Sequence, residues 1–113
     1  MPPQSSRPAA AAERIVIVHR PGPMWPDPKH EFLDQEGLRA HIDHYRILDD
    51  RGLLLLGGPF LNDGGGMMIV AGEAGLERMR RFAGADPAVK SGLLLAEVYS
   101  WFAFLGTQGS GER

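Results

Sequence analysis

The order in which helical and extended patterns alternate along the chain constrains its fold more than any other feature. Residues 15–18 are four consecutive β-branched side chains, which predict a first strand over residues 14–19 that is buried on both faces. The segments after it are predicted as a helix at 34–50, strands at 53–60 and 67–71, a helix at 73–83 and a last strand at 93–105. The order β-α-β-β-α-β predicts an α+β, ferredoxin-like subunit, with a four-stranded antiparallel sheet and two helices on one face.

The 113 residues amount to one domain. We expect residues 1–13, rich in Pro, Ser and Ala, to be a disordered N-terminal tail, residues 14–105 to be the domain, and residues 106–113 to be a flexible C-terminal tail. Four prolines in residues 21–28 exclude a helix there and predict a long loop. Such a loop is either a lid over a pocket or a rigid connector.

Composition excludes several classes of function. The chain has no cysteine, which excludes disulfides, thiolate nucleophiles and cysteine zinc sites and fits a cytoplasmic location. Its apolar runs, such as residues 53–56 and 93–96, are too short to cross a bilayer, and the N-terminus has no signal-peptide pattern. The formal net charge is -2 without a charge run, so we expect neither a nucleic-acid nor a membrane partner.

Both faces of the predicted sheet are apolar. In the first strand Ile15 and Ile17 point one way, and Val16 and Val18 point the other. The last strand repeats this alternation, with Val98, Phe102 and Phe104 on one face and Tyr99, Trp101 and Ala103 on the other. Since two helices cover only one face, the second would remain an exposed apolar patch. We therefore predict a homodimer that buries the open sheet face.

His41 is the most informative polar residue. Its spacing from Leu38 and Tyr45 places it on the apolar stripe of the first helix, where an imidazole needs a hydrogen-bond partner. A histidine held there by a carboxylate can serve as a general base, and the alternative is a satisfied core histidine. His44 follows one turn later, so the pair could bind metal, but no further residue has a recognised ligand spacing, and we predict no metal site.

The other candidates are weaker when taken singly. Asp86 before Pro87 is typical of a turn, although its carboxylate could also orient an imidazole. His19 ends the first strand, where its side chain could reach a cleft, and Trp101 could line an aromatic wall. The glycines around Gly58 and Pro59 lack the order that cradles phosphates, and the serines have no histidine or aspartate at a motif spacing.

Taken in order, several of these elements resemble the YciI-related family. They are His41, Gly52 eleven residues on, the apolar run 53–56, Gly58-Pro59, a glycine-rich hairpin, Ala85-Asp86-Pro87 and Gly92. The resemblance covers roughly residues 14–104. It implies a dimeric α+β barrel and a pocket beside the helix histidine, with His41 and Asp86 as an acid–base pair. Ala88, where the family often has an aromatic residue, and the proline-rich loop argue against carrying over a particular substrate.

The resemblance and the residues together lead to one main hypothesis and one alternative. The first is an acid–base enzyme without a cofactor, a lyase, isomerase or dehydrochlorinase-like protein acting on a small cyclic or carbonyl compound. In it His41 and Asp86 are catalytic, and the small-molecule pocket includes His19, Tyr45, Gly58, Pro59 and Trp101. The alternative is a non-catalytic, small-ligand-binding or pathway-accessory dimer that uses the same pocket.

Overall fold

A computed structural model describes residues 13–26, 37–62 and 64–106 of the chain. The elements are β1 Glu13–Pro21, α1 Leu38–Asp50, β2 Leu54–Pro59, β3 Gly66–Ala71, α2 Leu76–Gly84, α3 Pro87–Lys90 and β4 Leu94–Phe102. The strands form one four-stranded sheet in the order β2-β3-β1-β4, and every neighbouring pair is antiparallel. This order confirms the predicted ferredoxin-like α+β fold.

Differences from the predicted element bounds have local causes. The second long helix does not start at residue 73, because a 3-10 turn at Gly72–Ala74 leads into Gly75, whose φ of 86° interrupts the helix before Leu76. The short helix α3 was not predicted, and β4 ends at Phe102 instead of residue 105. The predicted start of α1 at residues 34–36 and most of both predicted tails lie outside the described residues.

The hydrophobic core lies between one face of the sheet and the helices α1 and α2. Ile15, Ile17 and Val70 are buried on this face, and Tyr45 and Leu48 of α1 pack on them.

The other face of the sheet is open. Val16 and Val18, which alternate with Ile15 and Ile17 along β1, are only half-buried there. On the same open face, Tyr99 and Trp101 of β4 are 51% and 46% exposed. Within the described chain, the open face is therefore mainly apolar and uncovered, with the exposed Arg20–Glu97 ion pair toward one end.

A second apolar cluster anchors the start of the proline-rich loop. Its buried members are Trp25, Leu38, Ala88, Leu93 and Leu94. The backbone N–H groups of Gly22 and Met24 donate to the carbonyls of Leu93 and Gly92, at 2.8 and 2.9 Å. The described part of the loop is thus fixed along the chain that enters β4, as a connector would be. Its remaining residues, 27 and 28, lie outside the described chain.

None of the described helices combines the length and the apolar character that a bilayer-crossing helix requires.

Candidate active site

Three buried polar side chains meet where β1, α1 and α3 converge. His19 and His41 are each 1% exposed, and Asp86 is fully buried. His19 lies near the end of β1, His41 lies on the sheet-facing stripe of α1, and Asp86 is the residue that precedes α3. Buried polar groups are costly unless they are hydrogen-bonded, so their contacts determine what the group can do.

Asp86 binds His41 and caps a helix with the same carboxylate. Its Oδ2 lies 2.6 Å from Nδ1 of His41, and its Oδ1 accepts the backbone N–H of Ala88 at 2.9 Å. Pro87 occupies the first helical turn, where its missing N–H costs nothing. Burial alone would raise the pKa of Asp86, but the hydrogen bonds from His41 and Ala88 outweigh it, and the net pKa is lowered. Asp86 is therefore an anion that fixes the ring of His41.

His19 is the neutral neighbour of this pair. Its Nε2 lies 3.2 Å from the hydroxyl of Tyr45 and 3.8 Å from Oδ2 of Asp86. Burial is the main cause that lowers the pKa of His19 from 6.5 to about 4; the nearby His41 contributes to this lowering, and Asp86 opposes it. Burial and the charge of Asp86 raise the pKa of Tyr45, which keeps its hydroxyl proton. Tyr45 can thus donate to the imidazole of His19.

The lowered pKa of His19 makes stability depend on pH. The pKa is about 4 in the folded chain and 6.5 ordinarily, so between these values the unfolded chain binds more protons. We expect the free energy of unfolding to fall by about 3 kcal/mol as the pH is lowered from 6.5 to 4. The contribution of Asp86, whose folded pKa is lowered, is lost below its ordinary pKa of 3.8. Urea unfolding at several pH values measures this dependence.

The control for this pH dependence is His19→Gln, which keeps a polar side chain but cannot titrate. We expect the variant to lose most of the dependence between pH 6.5 and 4. An unchanged dependence in the variant would assign the effect to another group.

A cavity of about 320 Å³ opens beside the two histidines, between α1 and the β2–β3 hairpin. Its walls are mostly apolar, with Arg46 and Asp49 of α1 as the charged members. The lining residues are His19, His41, Ile42, Tyr45, Arg46, Asp49, Leu54, Gly57, Gly58, Pro59, Gly66, Met67 and Met68. Gly57 faces Met68, because a Cβ there would lie 2.5 Å from Sδ of that side chain. The arrangement is a small apolar chamber with two imidazoles and a phenol in its wall.

The structure brings together all but one of the residues predicted for the site. His41 and Asp86 are in contact, and the cavity is lined by four of the predicted pocket residues, His19, Tyr45, Gly58 and Pro59. Trp101 is elsewhere, because it pairs with Arg14 at the far end of β1 and lines a separate groove. His19 instead pairs with Ala96.

His44 does not join the buried group. Its Nε2 lies 2.7 Å from the carbonyl oxygen of Phe82, and its ring stacks on the Phe82 ring at a centroid distance of 4.0 Å. The metal alternative through His41 and His44 therefore lacks the required geometry. Met67, Met68 and Arg46 line the cavity but were not predicted from the sequence. Arg46 follows Tyr45 on α1, but consecutive helical residues do not share a face, and the two methionines have the pattern of ordinary strand residues.

Comparison with known proteins supports the fold. No protein-family model matches the chain, and no curated protein matches it. A solved structure of 5-chloro-2-hydroxyhydroquinone dehydrochlorinase (TftG) from Burkholderia phenoliruptrix AC1100, in complex with 2,5-dihydroxybenzoquinone, superposes with a TM-score of 0.56. The two sequences are 21% identical, and the match covers 77% of this chain and 92% of that one. At this identity the likeness shows a shared fold.

Proposed function

We propose that the chain is an acid–base enzyme that removes a proton from a small cyclic or carbonyl compound bound in the cavity. The observation that carries this proposal is the buried 2.6 Å contact between His41 and Asp86 beside an apolar chamber that His41 also lines. His41 is the base, and Asp86 orients its ring and stabilises the imidazolium that forms when the proton is taken. These two side chains form a complete unit for one proton transfer.

Elimination and isomerisation are the reaction classes that suit such a unit. In an elimination the base takes a proton and a leaving group departs with its electron pair. The chamber of about 320 Å³ has room for a single substituted ring. The structural neighbour is a dehydrochlorinase that was solved with a quinone, which supports a ring compound as the substrate class here as well.

An assay for chloride release tests the proposal. The compound for which the neighbouring dehydrochlorinase is named, 5-chloro-2-hydroxyhydroquinone, is the first probe, followed by other halogenated or hydroxylated ring compounds of similar size. We expect turnover of at least one member, measured as chloride release or as a change in ring absorbance. Binding of these compounds without any turnover would favour the alternative of a non-catalytic small-ligand-binding protein.

We further propose that the functional form is a homodimer joined through the open sheet face. On this face Val16 of the central strand β1 lies between Tyr99 of β4 and Ile69 of β3, and Val18 lies between Glu97 and Met67. Trp101 lies opposite Arg14, farther along the same face. An apolar sheet surface of this kind is typical of an interface between subunits. Pairing two such faces buries them in a second core between the two sheets.

Tyr99→Glu tests the proposed dimer. We expect the unchanged chain to sediment as a dimer at micromolar concentration and the variant as a monomer, because the new carboxylate would replace the hydroxyl that donates to Glu97 and would repel that carboxylate inside the interface. Ile47→Glu is the matched control, since Ile47 is 41% exposed on α1, away from the open face. A monomer for the unchanged chain, or the same loss of dimer in both variants, would refute this interface.

A further inference from the structure

We propose that His19, His41 and Asp86 also form a binding site for one zinc-class divalent cation, with a coordination position that opens onto the cavity. All three side chains are buried, and their potential ligand atoms lie within 4.8 Å of one another. This inference goes beyond the proposed acid–base function and does not depend on it, because it concerns only the positions of these atoms.

The two separations that involve Asp86 are close to those of a metal site, whereas the ligand atoms of the two imidazoles, which lie within 4.8 Å of each other, must approach as a cation binds. Oδ2 of Asp86 lies 2.6 Å from Nδ1 of His41 and 3.8 Å from Nε2 of His19. Tetrahedral zinc, with bonds of about 2.0–2.2 Å, places its ligands roughly 3.3 Å apart. The first distance is shorter than this value and the second is longer. Moving Oδ2 of Asp86 toward His19 by less than about 1 Å therefore brings both distances closer to the tetrahedral value. The proton between His41 and Asp86 leaves to solvent as the metal enters.

The surroundings of the three ligands also fit a metal. The other oxygen of Asp86 accepts the backbone N–H of Ala88, which is the kind of support that metal-binding carboxylates have. His19 and His41 both line the cavity, so water entering from it could complete a four-coordinate site. The hydroxyl of Tyr45, 3.2 Å from Nε2 of His19, lies where it can hydrogen-bond to that water after giving up its contact with the imidazole.

The ligand types select the class of cation. Two imidazole nitrogens and one carboxylate oxygen suit zinc, cobalt and other borderline transition metals. Magnesium and calcium prefer sites made of oxygen alone, with at least six ligands, so neither should compete. A bound cation would occupy Nδ1 of His41 and Oδ2 of Asp86, the two atoms of the proposed acid–base contact. Metal binding should therefore inhibit acid–base turnover.

Titration of the chelator-treated full chain with Co²⁺ tests the site, because a tetrahedral cobalt site with nitrogen ligands absorbs visible light. We expect a ligand-field spectrum that saturates at one equivalent per chain, is displaced by Zn²⁺ and is unaffected by excess Mg²⁺. His19→Gln removes one ligand and should abolish the spectrum. His44→Gln is the matched control, because His44 contacts Phe82 instead of the buried group, and it should retain the spectrum.

Several results would overturn the site. They are the absence of a saturating cobalt spectrum in the unchanged chain, its persistence in His19→Gln, or its loss in His44→Gln. Circular dichroism shows whether each variant is folded, and should His19→Gln not fold, Asp86→Asn replaces it as the ligand-removing variant. Turnover in excess chelator separates the two proposals, since a chain that is active there and binds no metal keeps the acid–base function and loses the cation site.

Discussion

His41→Asn is expected to lower kcat by about 10²–10⁴, the usual contribution of a general base. Asparagine keeps a polar side chain of similar reach, but it cannot take a proton at neutral pH. The other walls of the cavity are unchanged, so KM should move far less than kcat. The measurement is steady-state turnover in excess chelator, with whichever ring compound gives activity in the unchanged chain.

His44→Gln is the control for this variant, because it replaces the same residue type one helical turn away. His44 contacts the carbonyl oxygen of Phe82 outside the buried group, so kcat should stay within about twofold of the unchanged chain. If His41→Asn kept a kcat that close to the unchanged chain, His41 would not be the base. Its contact with Asp86 would then serve stability alone.

Asp86→Ala is expected to lower the free energy of unfolding by about 3 kcal/mol. The change removes the partner of Nδ1 of His41 at a fully buried position and takes away the cap of α3 in the same step. Loss of an N-cap alone costs about 1 kcal/mol, and a buried charged contact accounts for the rest. Urea unfolding at pH 7 gives the value.

Two further variants separate the roles of this carboxylate. Asp86→Asn keeps an oxygen that can accept the N–H of Ala88, so it should lose less stability than Asp86→Ala while still lowering kcat. Asp50→Ala removes an exposed carboxylate at the end of α1, and its effect should stay within about 0.5 kcal/mol. Equal stabilities of Asp86→Ala and Asp50→Ala would contradict the assigned role of Asp86.

The fold and one member of the buried pair, His41, could be predicted from the sequence for physical reasons. The order of strands and helices follows from apolar spacing, which is a local property, and the same spacing places His41 between Leu38 and Tyr45 on the covered side of α1. Asp86 lies 45 residues from His41 in the chain, and spacing says nothing of that contact. Only the ordered resemblance to the YciI-related family connects the two residues at the level of sequence.

The place of Trp101, the two methionines of the cavity and the short helix α3 depend on strand register and on short-range geometry. Trp101 lies five residues beyond Ala96 on β4, and at about 3.4 Å per residue this puts it roughly 17 Å from the partner of His19. Alternation predicts the face of Trp101 but not its distance along the strand. Met67 and Met68 line the cavity because of how β2 and β3 pair, and α3 has too few residues for any periodic signal.

The position of β2 at the outer edge of the sheet has a consequence for how such a protein changes over evolutionary time. The proposed acid–base pair, His41 and Asp86, is attached to α1 and α3, whereas Gly57, Gly58 and Pro59 of β2 form a wall that only β3 flanks in the sheet. Mutations in that wall can reshape the chamber without moving His41 or Asp86. Relatives of this chain should therefore diverge in the compounds they accept sooner than in the chemistry they perform.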